Sequence, residues 1–138
     1  MNVPESEVVR VSLRTPPHDL ASFLRDLHSW KAWAPWIRTV QRTSSGDWTL
    51  DTEAGPMAIH FVDSDTPDVL DHEVTLASGV KILNSLRVSA QPPGSELAMV
   101  VVQQPGASPE EFRRDVHAVR DDFARLKKVI ETRTNAPS

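Results

Sequence analysis

Ser108-Pro109-Glu110-Glu111-Phe112-Arg113-Arg114-Asp115-Val116-His117-Ala118-Val119-Arg120-Asp121-Asp122-Phe123-Ala124-Arg125-Leu126-Lys127-Lys128-Val129-Ile130 is the stretch on which the fold turns. It opens with a capping box, Ser108 followed three residues later by Glu111, with proline at the first helical position. Phe112, Val116, Val119, Phe123, Leu126 and Ile130 then recur at spacings of four and three, which is one face of a helix about five turns long. Such a stripe must lie on another apolar surface. The remaining positions carry charges of both signs, among them Arg113, Arg114, Asp121, Asp122, Lys127 and Lys128, and read as a solvated face. Thr132–Ser138 is expected to fray.

Upstream, Ile37 to Gln104 is written in short runs divided by turn chemistry: Ser44-Ser45-Gly46-Asp47, Ala54-Gly55-Pro56, Asp65-Thr66-Pro67-Asp68, Ser78-Gly79 and Pro92-Pro93-Gly94. The runs alternate. Trp48, Leu50 and Thr52 share one face, as do Met57, Ile59 and Phe61, then Leu70, His72, Val74 and Leu76, then Ile82, Asn84, Leu86 and Val88. Consecutive hairpins with one face turned inward form an antiparallel meander. Leu97 to Val102 is apolar on both faces, so alternation does not choose its inward set.

The N-terminal part completes the pattern. Glu7 to Arg14 alternates, with Val9, Val11 and Leu13 on one side, as a half-buried strand does. Thr15 before Pro16-Pro17 is an N-cap candidate for a short helix whose face is Leu20, Phe23, Leu24 and Leu27. Ser29 is positioned to cap a second short helix, on which Trp30, Trp33 and Trp36 follow at intervals of three until Pro35 disturbs it.

Bulk properties exclude several function classes. A chain of 138 residues, 39% apolar and 25% charged, has the size and composition of one domain, expected to span 1–138 with an ordered core over about 7–131 and loose ends. The absence of cysteine removes disulfides and thiolate metal ligands. A net charge of −4 argues against general nucleic-acid binding. The first residues, Met1-Asn2-Val3-Pro4-Glu5-Ser6-Glu7, have no apolar core of a secretory signal. No run approaches the roughly 20 apolar residues of a membrane-spanning helix. A cytoplasmic location is the expectation, without stable membrane insertion.

The order strand, two short helices, antiparallel meander and long C-terminal helix resembles the START-related superfamily, also called SRPBCC, which includes the birch pollen allergen and polyketide cyclase-like proteins. The resemblance covers nearly the whole chain. It is carried by Trp33-Ala34-Pro35-Trp36, by Val69-Leu70-Asp71-His72, and by Gly94-Ser95-Glu96-Leu97 leading to Pro105-Gly106 and the final helix. It implies an α+β helix-grip fold, a curved antiparallel sheet of about seven strands with the long helix over its concave face and a cavity between them. It implies binding of a small hydrophobic molecule, lipid- or polyketide-like, with no cofactor. Trp33 and Trp36 from the segment that closes one cavity mouth in relatives would then line that cavity. Met57, Ile59, Phe61, His72, Asn84 and Leu86 from the sheet would do so too, with Phe112, Val116 and Val119 from the helix.

Of the five histidines none stands in an H-x-H or H-x-x-x-H arrangement, so no metal site is expected. His18, His28 and His117 read as surface residues, and His60 should point away from the core. His72 shares the face of Leu70, Val74 and Leu76. With Asn84 on the next strand it could orient a polar group of a ligand or act as a general base. Asp71 and Glu73 flank His72 but project to the opposite face of a regular strand; Glu96 is the remaining candidate for a second acid/base group. Trp48 reads as core.

No phosphate-binding glycine loop and no G-x-S-x-G element is present. Three functions fit: a binding or transport module for a small hydrophobic molecule, a polyketide cyclase- or dehydratase-like enzyme using His72 and Asn84, and a protein-interaction domain with a filled core. The first is preferred, because acid/base catalysis needs a second positioned group that the sequence does not reveal.

Overall fold

The computed structural model describes residues 4–134, with side chains to 132. Seven strands form one antiparallel sheet: β1 (Ser6–Leu13), β2 (Ile37–Arg42), β3 (Trp48–Thr52), β4 (Gly55–Phe61), β5 (His72–Thr75), β6 (Lys81–Gln91) and β7 (Gly94–Val102). Their spatial order is β1-β7-β6-β5-β4-β3-β2. The chain therefore crosses from one sheet edge to the other between β1 and β2, and the meander walks back until β7 closes on β1. Helix α1 (Pro17–Arg25) and a 3-10 helix (Leu27–Ala32) make that crossing, and α2 (Pro109–Thr134) follows β7. This is the α+β helix-grip architecture.

Strand pairing supplies the register that alternation alone left open in β7. Val11 pairs with Leu97 and Val9 with Met99, while Val88 and Leu86 pair with the same two residues from the other side. Ser95, Leu97, Met99 and Val101 thus share the inner face; Ser95 and Leu97 are fully buried. The other inward sets hold: Trp48, Leu50 and Thr52 are buried, as are Ile59, Leu70, His72, Val74, Leu86 and Val88. His60 is exposed, whereas Glu73, expected outside, is half-exposed beside Lys81.

The capping box forms as the sequence predicts, Glu111 N donating to Ser108 Oγ at 3.1 Å and Ser108 N to Glu111 Oε1 at 3.2 Å. The stripe of α2 packs on β1 and β7. Phe112, Val116, Phe123, Leu126 and Ile130 are buried and Val119 is half-buried. At about 1.5 to 3 kcal/mol for each fully buried side chain, this stripe rivals the whole net stability of about 5 to 15 kcal/mol of an ordinary domain. The helix is part of the core. It continues through Thr134, past the expected fraying point at Thr132; residues 1–3 and 135–138, also expected to be loose, lie outside the described residues.

Both caps expected in the crossing segment are different. Pro16, not Thr15, occupies the N-cap of α1 and gives no side-chain bond; the Thr15 hydroxyl is buried without a partner, and its carbonyl accepts from Ser95 Oγ at 2.6 Å. The competing requirement is at β7: a Cβ on Gly94 would stand 1.9 Å from Leu13 O, so the end of β1 is pressed against the start of β7. Ser29 does not cap the 3-10 helix either. Asp26 does, accepting from His28 N at 2.9 Å, and Ser29 Oγ turns back to donate to Phe23 O at 2.7 Å.

Candidate functional site

The spacing of three between tryptophans is the period of a 3-10 helix, in which residues i and i+3 eclipse. Trp30 and Trp33, the residue that ends the 3-10 helix, lie against each other with ring planes tilted by 46° and centroids 5.3 Å apart. Trp30 Nε1 donates to Leu24 O at 2.9 Å, fixing the ring against the end of α1. Trp33 is buried and its Nε1 has no partner. Trp36, beyond the helix, is half-buried.

Facing Trp30 across the inner side of the sheet is His72, with ring centroids 5.5 Å apart in an edge-to-face arrangement; Phe61 packs on the imidazole at 5.8 Å. Nδ1 lies 2.9 Å from Leu70 O. A carbonyl only accepts, so the proton sits on Nδ1 and leaves Nε2 with a lone pair. Burial holds the pKa below its ordinary value, with the Leu70 bond and Asp71 opposing, and the imidazole is neutral at pH 7. Asn84 pairs with His72 across β5 and β6, and its Nδ2 donates to Nε2 over a long 3.4 Å. Asn84, on the inward set of β6, is half-buried, like Ile82 on the same strand. Both lie on the first residues of β6, beside the four-residue β5, while α1 and α2 pack on β6, β7 and β1.

Asp71, outside the inner face, has a structural task. Its Oδ1 accepts from Leu86 N at 2.9 Å and its Oδ2 from Arg87 at 3.1 Å, while Leu70 N donates to Leu86 O at 2.8 Å. Glu73 faces Lys81 at 3.6 Å. Neither carboxylate forms a dyad with His72. Glu96 is also removed from it, on the outer face in an ion pair with Arg10 at 2.8 Å. The histidine therefore has an amide as its polar neighbour and no acid among these three.

Between α2, the tryptophan segment and the sheet lies an apolar cavity of about 110 Å³. Of the residues named from sequence, Trp33, Trp36, Met57, Ile59, His72, Asn84, Leu86 and Val119 line it. Phe61, Phe112 and Val116 do not. Phe61 sits behind His72. Phe112 and Val116 are buried in the core one to two turns before Val119, and a helix rising about 1.5 Å per residue carries Phe112 about 10 Å from it, farther than so small a space extends. The wall further contains Trp30, Val74, Met99, Phe123 and Asp122.

Asp122 is the main correction to the helix reading. Instead of lying on the solvated face it is only 9% exposed. Its Oδ2 accepts from Trp36 Nε1 at 3.0 Å and its Oδ1 pairs with Arg125, whose Nε donates to Trp33 O at 3.0 Å. One turn of α2 thus clips both tryptophans flanking Ala34-Pro35. The signal was available in the spacing: position 122 lies three after Val119 and four before Leu126, on the edge of the stripe. Among the described residues no three histidine or acidic side chains converge as metal ligands.

No protein-family model and no curated protein matches the sequence. Solved structures do resemble the fold. A START superfamily protein from Mycobacterium smegmatis aligns with a TM-score of 0.69 at 14% identity, over 92% of this chain and 97% of that one. Ara h 8.0201 aligns with a TM-score of 0.67 at 16% identity, over 94% and 99%. DynU16, from the dynemicin biosynthetic locus, aligns with a TM-score of 0.71 at 18% identity, over 92% of this chain but 47% of its own. The chain has the fold of the START-related, helix-grip proteins. Likeness at these identities establishes architecture and leaves chemistry to be argued from the site. Among the described residues no helix is long and apolar enough to cross a membrane.

Proposed function

We propose that the protein binds a small hydrophobic molecule in the cavity between α2 and the sheet, entering past the tryptophan segment. The observation that carries this reading is the cavity itself, apolar in most of its wall yet bordered by the His72–Asn84 pair. Its volume, about 110 Å³, is below the roughly 300 Å³ at which drug-sized pockets begin. A lipid- or polyketide-sized ligand therefore requires the wall to open, and Trp36, half-buried and held by one hydrogen bond to Asp122, is the piece that moves.

A second reading, a polyketide cyclase- or dehydratase-like enzyme, is favoured by one observation: the neutral His72 presents Nε2 as a base, restrained only by a 3.4 Å bond. On this reading Asn84 orients the substrate.

Native mass spectrometry of the purified full chain, joined to titration with benzene, naphthalene and decanol under tryptophan fluorescence, tests the binding reading. A saturable response is expected, and Trp36→Ala should strengthen binding of the larger probes by about tenfold, the equivalent of about 1.4 kcal/mol. The absence of any co-purified molecule together with no saturable response to any probe would overturn it and favour an interaction domain with a filled core. Turnover of a bound molecule, lost in His72→Ala while binding persists, would instead establish the enzyme.

A further inference from the structure

The segment that closes the cavity is held in two unequal ways. Its backbone is fixed by its neighbours: Ala34 N donates to Trp30 O at 2.8 Å, Ile37 N to Ala34 O at 3.1 Å and Glu53 N to Trp36 O at 3.3 Å. The Trp36 side chain depends on α2. Half-buried on the cavity wall, its indole is anchored at the nitrogen by Asp122, 3.0 Å away.

Asp122 is in turn set by Arg125. The guanidinium donates through Nη2 to Asp122 Oδ1 and through Nε to Trp33 O. It thus spans the carboxylate that holds Trp36 and the carbonyl at the other end of Ala34-Pro35. A planar fork with fixed donors reaches both acceptors at once, which an ammonium does not. Arg125 is not among the residues that line the cavity, and its side chain is 44% exposed.

We propose that Arg125 is the positioning residue that sets the size limit of the site: by fixing Asp122 against Trp33 O it keeps Trp36 closed, and its release admits a ligand larger than one ring. The proposal rests on the reading of the cavity as a ligand site and deepens it by naming what regulates the mouth. With Trp36 in place the space is about 110 Å³. An apolar cavity that takes benzene has about 150 Å³, so one ring already fills the closed site and two fused rings exceed it. A ligand that binds only the open form is weakened by the fraction of molecules that are open. Loosening the tie raises that fraction and so favours two rings over one.

The test measures the affinities of naphthalene and benzene for the full chain by ligand-observed NMR, in the wild type, Arg125→Gln and Arg125→Lys. The ratio of the two affinities is the readout, because a change in global stability moves both probes together. Arg125→Gln should raise the naphthalene-to-benzene ratio about threefold or more, the scale of a partly exposed ion pair. Arg125→Lys keeps the charge but spans only one of the two acceptors, and should raise the ratio by less; it decides alone if Arg125→Gln does not fold. A ratio unchanged or lowered in the variants, or naphthalene excluded from all three proteins, would overturn the proposal and leave the cavity reading intact wherever benzene binds. Binding of neither probe to any of the three would remove both.

Discussion

The two halves of the sheet's inner face are filled in different ways. Under β1, β7 and the end of β6 the space is occupied by aliphatic side chains: Leu13, Leu97 and Val88 from the strands, Leu126 and Ile130 from α2, all buried. Under the start of β6, β5 and β4 it is occupied by the tryptophan segment, His72 and Asp122, and there a cavity remains. Interiors are close-packed, but a buried indole also calls for a partner to its N–H, which Trp30 and Trp36 have and Trp33 has not. The hollow lies where rigid rings and polar side chains replace aliphatic ones.

Stability measurements should separate the halves. Leu126→Ala removes a fully buried side chain from the filled half and is expected to destabilise by about 2 to 5 kcal/mol. Met57→Ala removes a half-buried one from the cavity wall and should cost about 1 to 2 kcal/mol. Equal shifts in the urea midpoint at unchanged m-value would erase the distinction between a packed and a hollow half.

An effect smaller than that of Leu126→Ala is expected at the clip between them. Asp122→Ala leaves Trp36 Nε1 without its acceptor and Arg125 without its carboxylate, and should destabilise by about 1 to 3 kcal/mol. Because Arg125 is partly exposed and can turn to water, most of that loss belongs to the indole. Asp122→Asn should recover part of it. A red-shifted tryptophan emission in the Ala variant, absent in the Asn variant, would locate the change at Trp36; identical behaviour of the two would show that the ion pair, not the indole bond, holds the segment.

The smallest effect is the dependence on pH, and it opposes inside to outside. Burial lowers the pKa of His72 below 6.5, so the unfolded chain takes up its proton first and the stability present above pH 6.5 falls as the pH drops toward the folded value. The hydrogen bond to Asp47, then its charge, raise the pKa of exposed His60 above 6.5, so its contribution is complete below pH 6.5 and disappears as the pH rises through the raised value. The two partly offset. Denaturation of the wild type and His60→Asn at pH 7.5, 6.5 and 5.5 should show a steeper acid loss in the variant; a flatter curve would mean that His72 is not the group that titrates.

Much of this was readable from the chain because periodicity records which face is buried. The α2 stripe, the inward sets of β3 to β6, and the separation of His72 from His60 all follow from spacings of three, four and two. What escaped depends on contacts between segments. The inward face of β7 is chosen by pairing with β1 and β6, which an all-apolar run does not encode. The caps at Thr15 and Ser29 failed because a better local acceptor, Asp26, and the close approach at Gly94 took precedence. Asp122 reads as surface until Trp36 supplies a donor for it, and Phe112 and Val116 share the stripe of Val119 but not its neighbourhood, since a face says nothing of distance along the axis.

Asp71 has a reach beyond its own bonds. Its carboxylate stands in for a backbone acceptor opposite Leu86, so β6 is pinned at the residue immediately before His72. Side chains alternate across a strand, so this outer pin acts as a ruler for the interior, setting which of two neighbouring residues is presented to the cavity. The inner lining can therefore be redesigned residue by residue while the ruler stays. Backbone pairing of β5 with β6 and the Leu70 N bond to Leu86 O hold the same register, so the ruler is backed on both sides of Asp71.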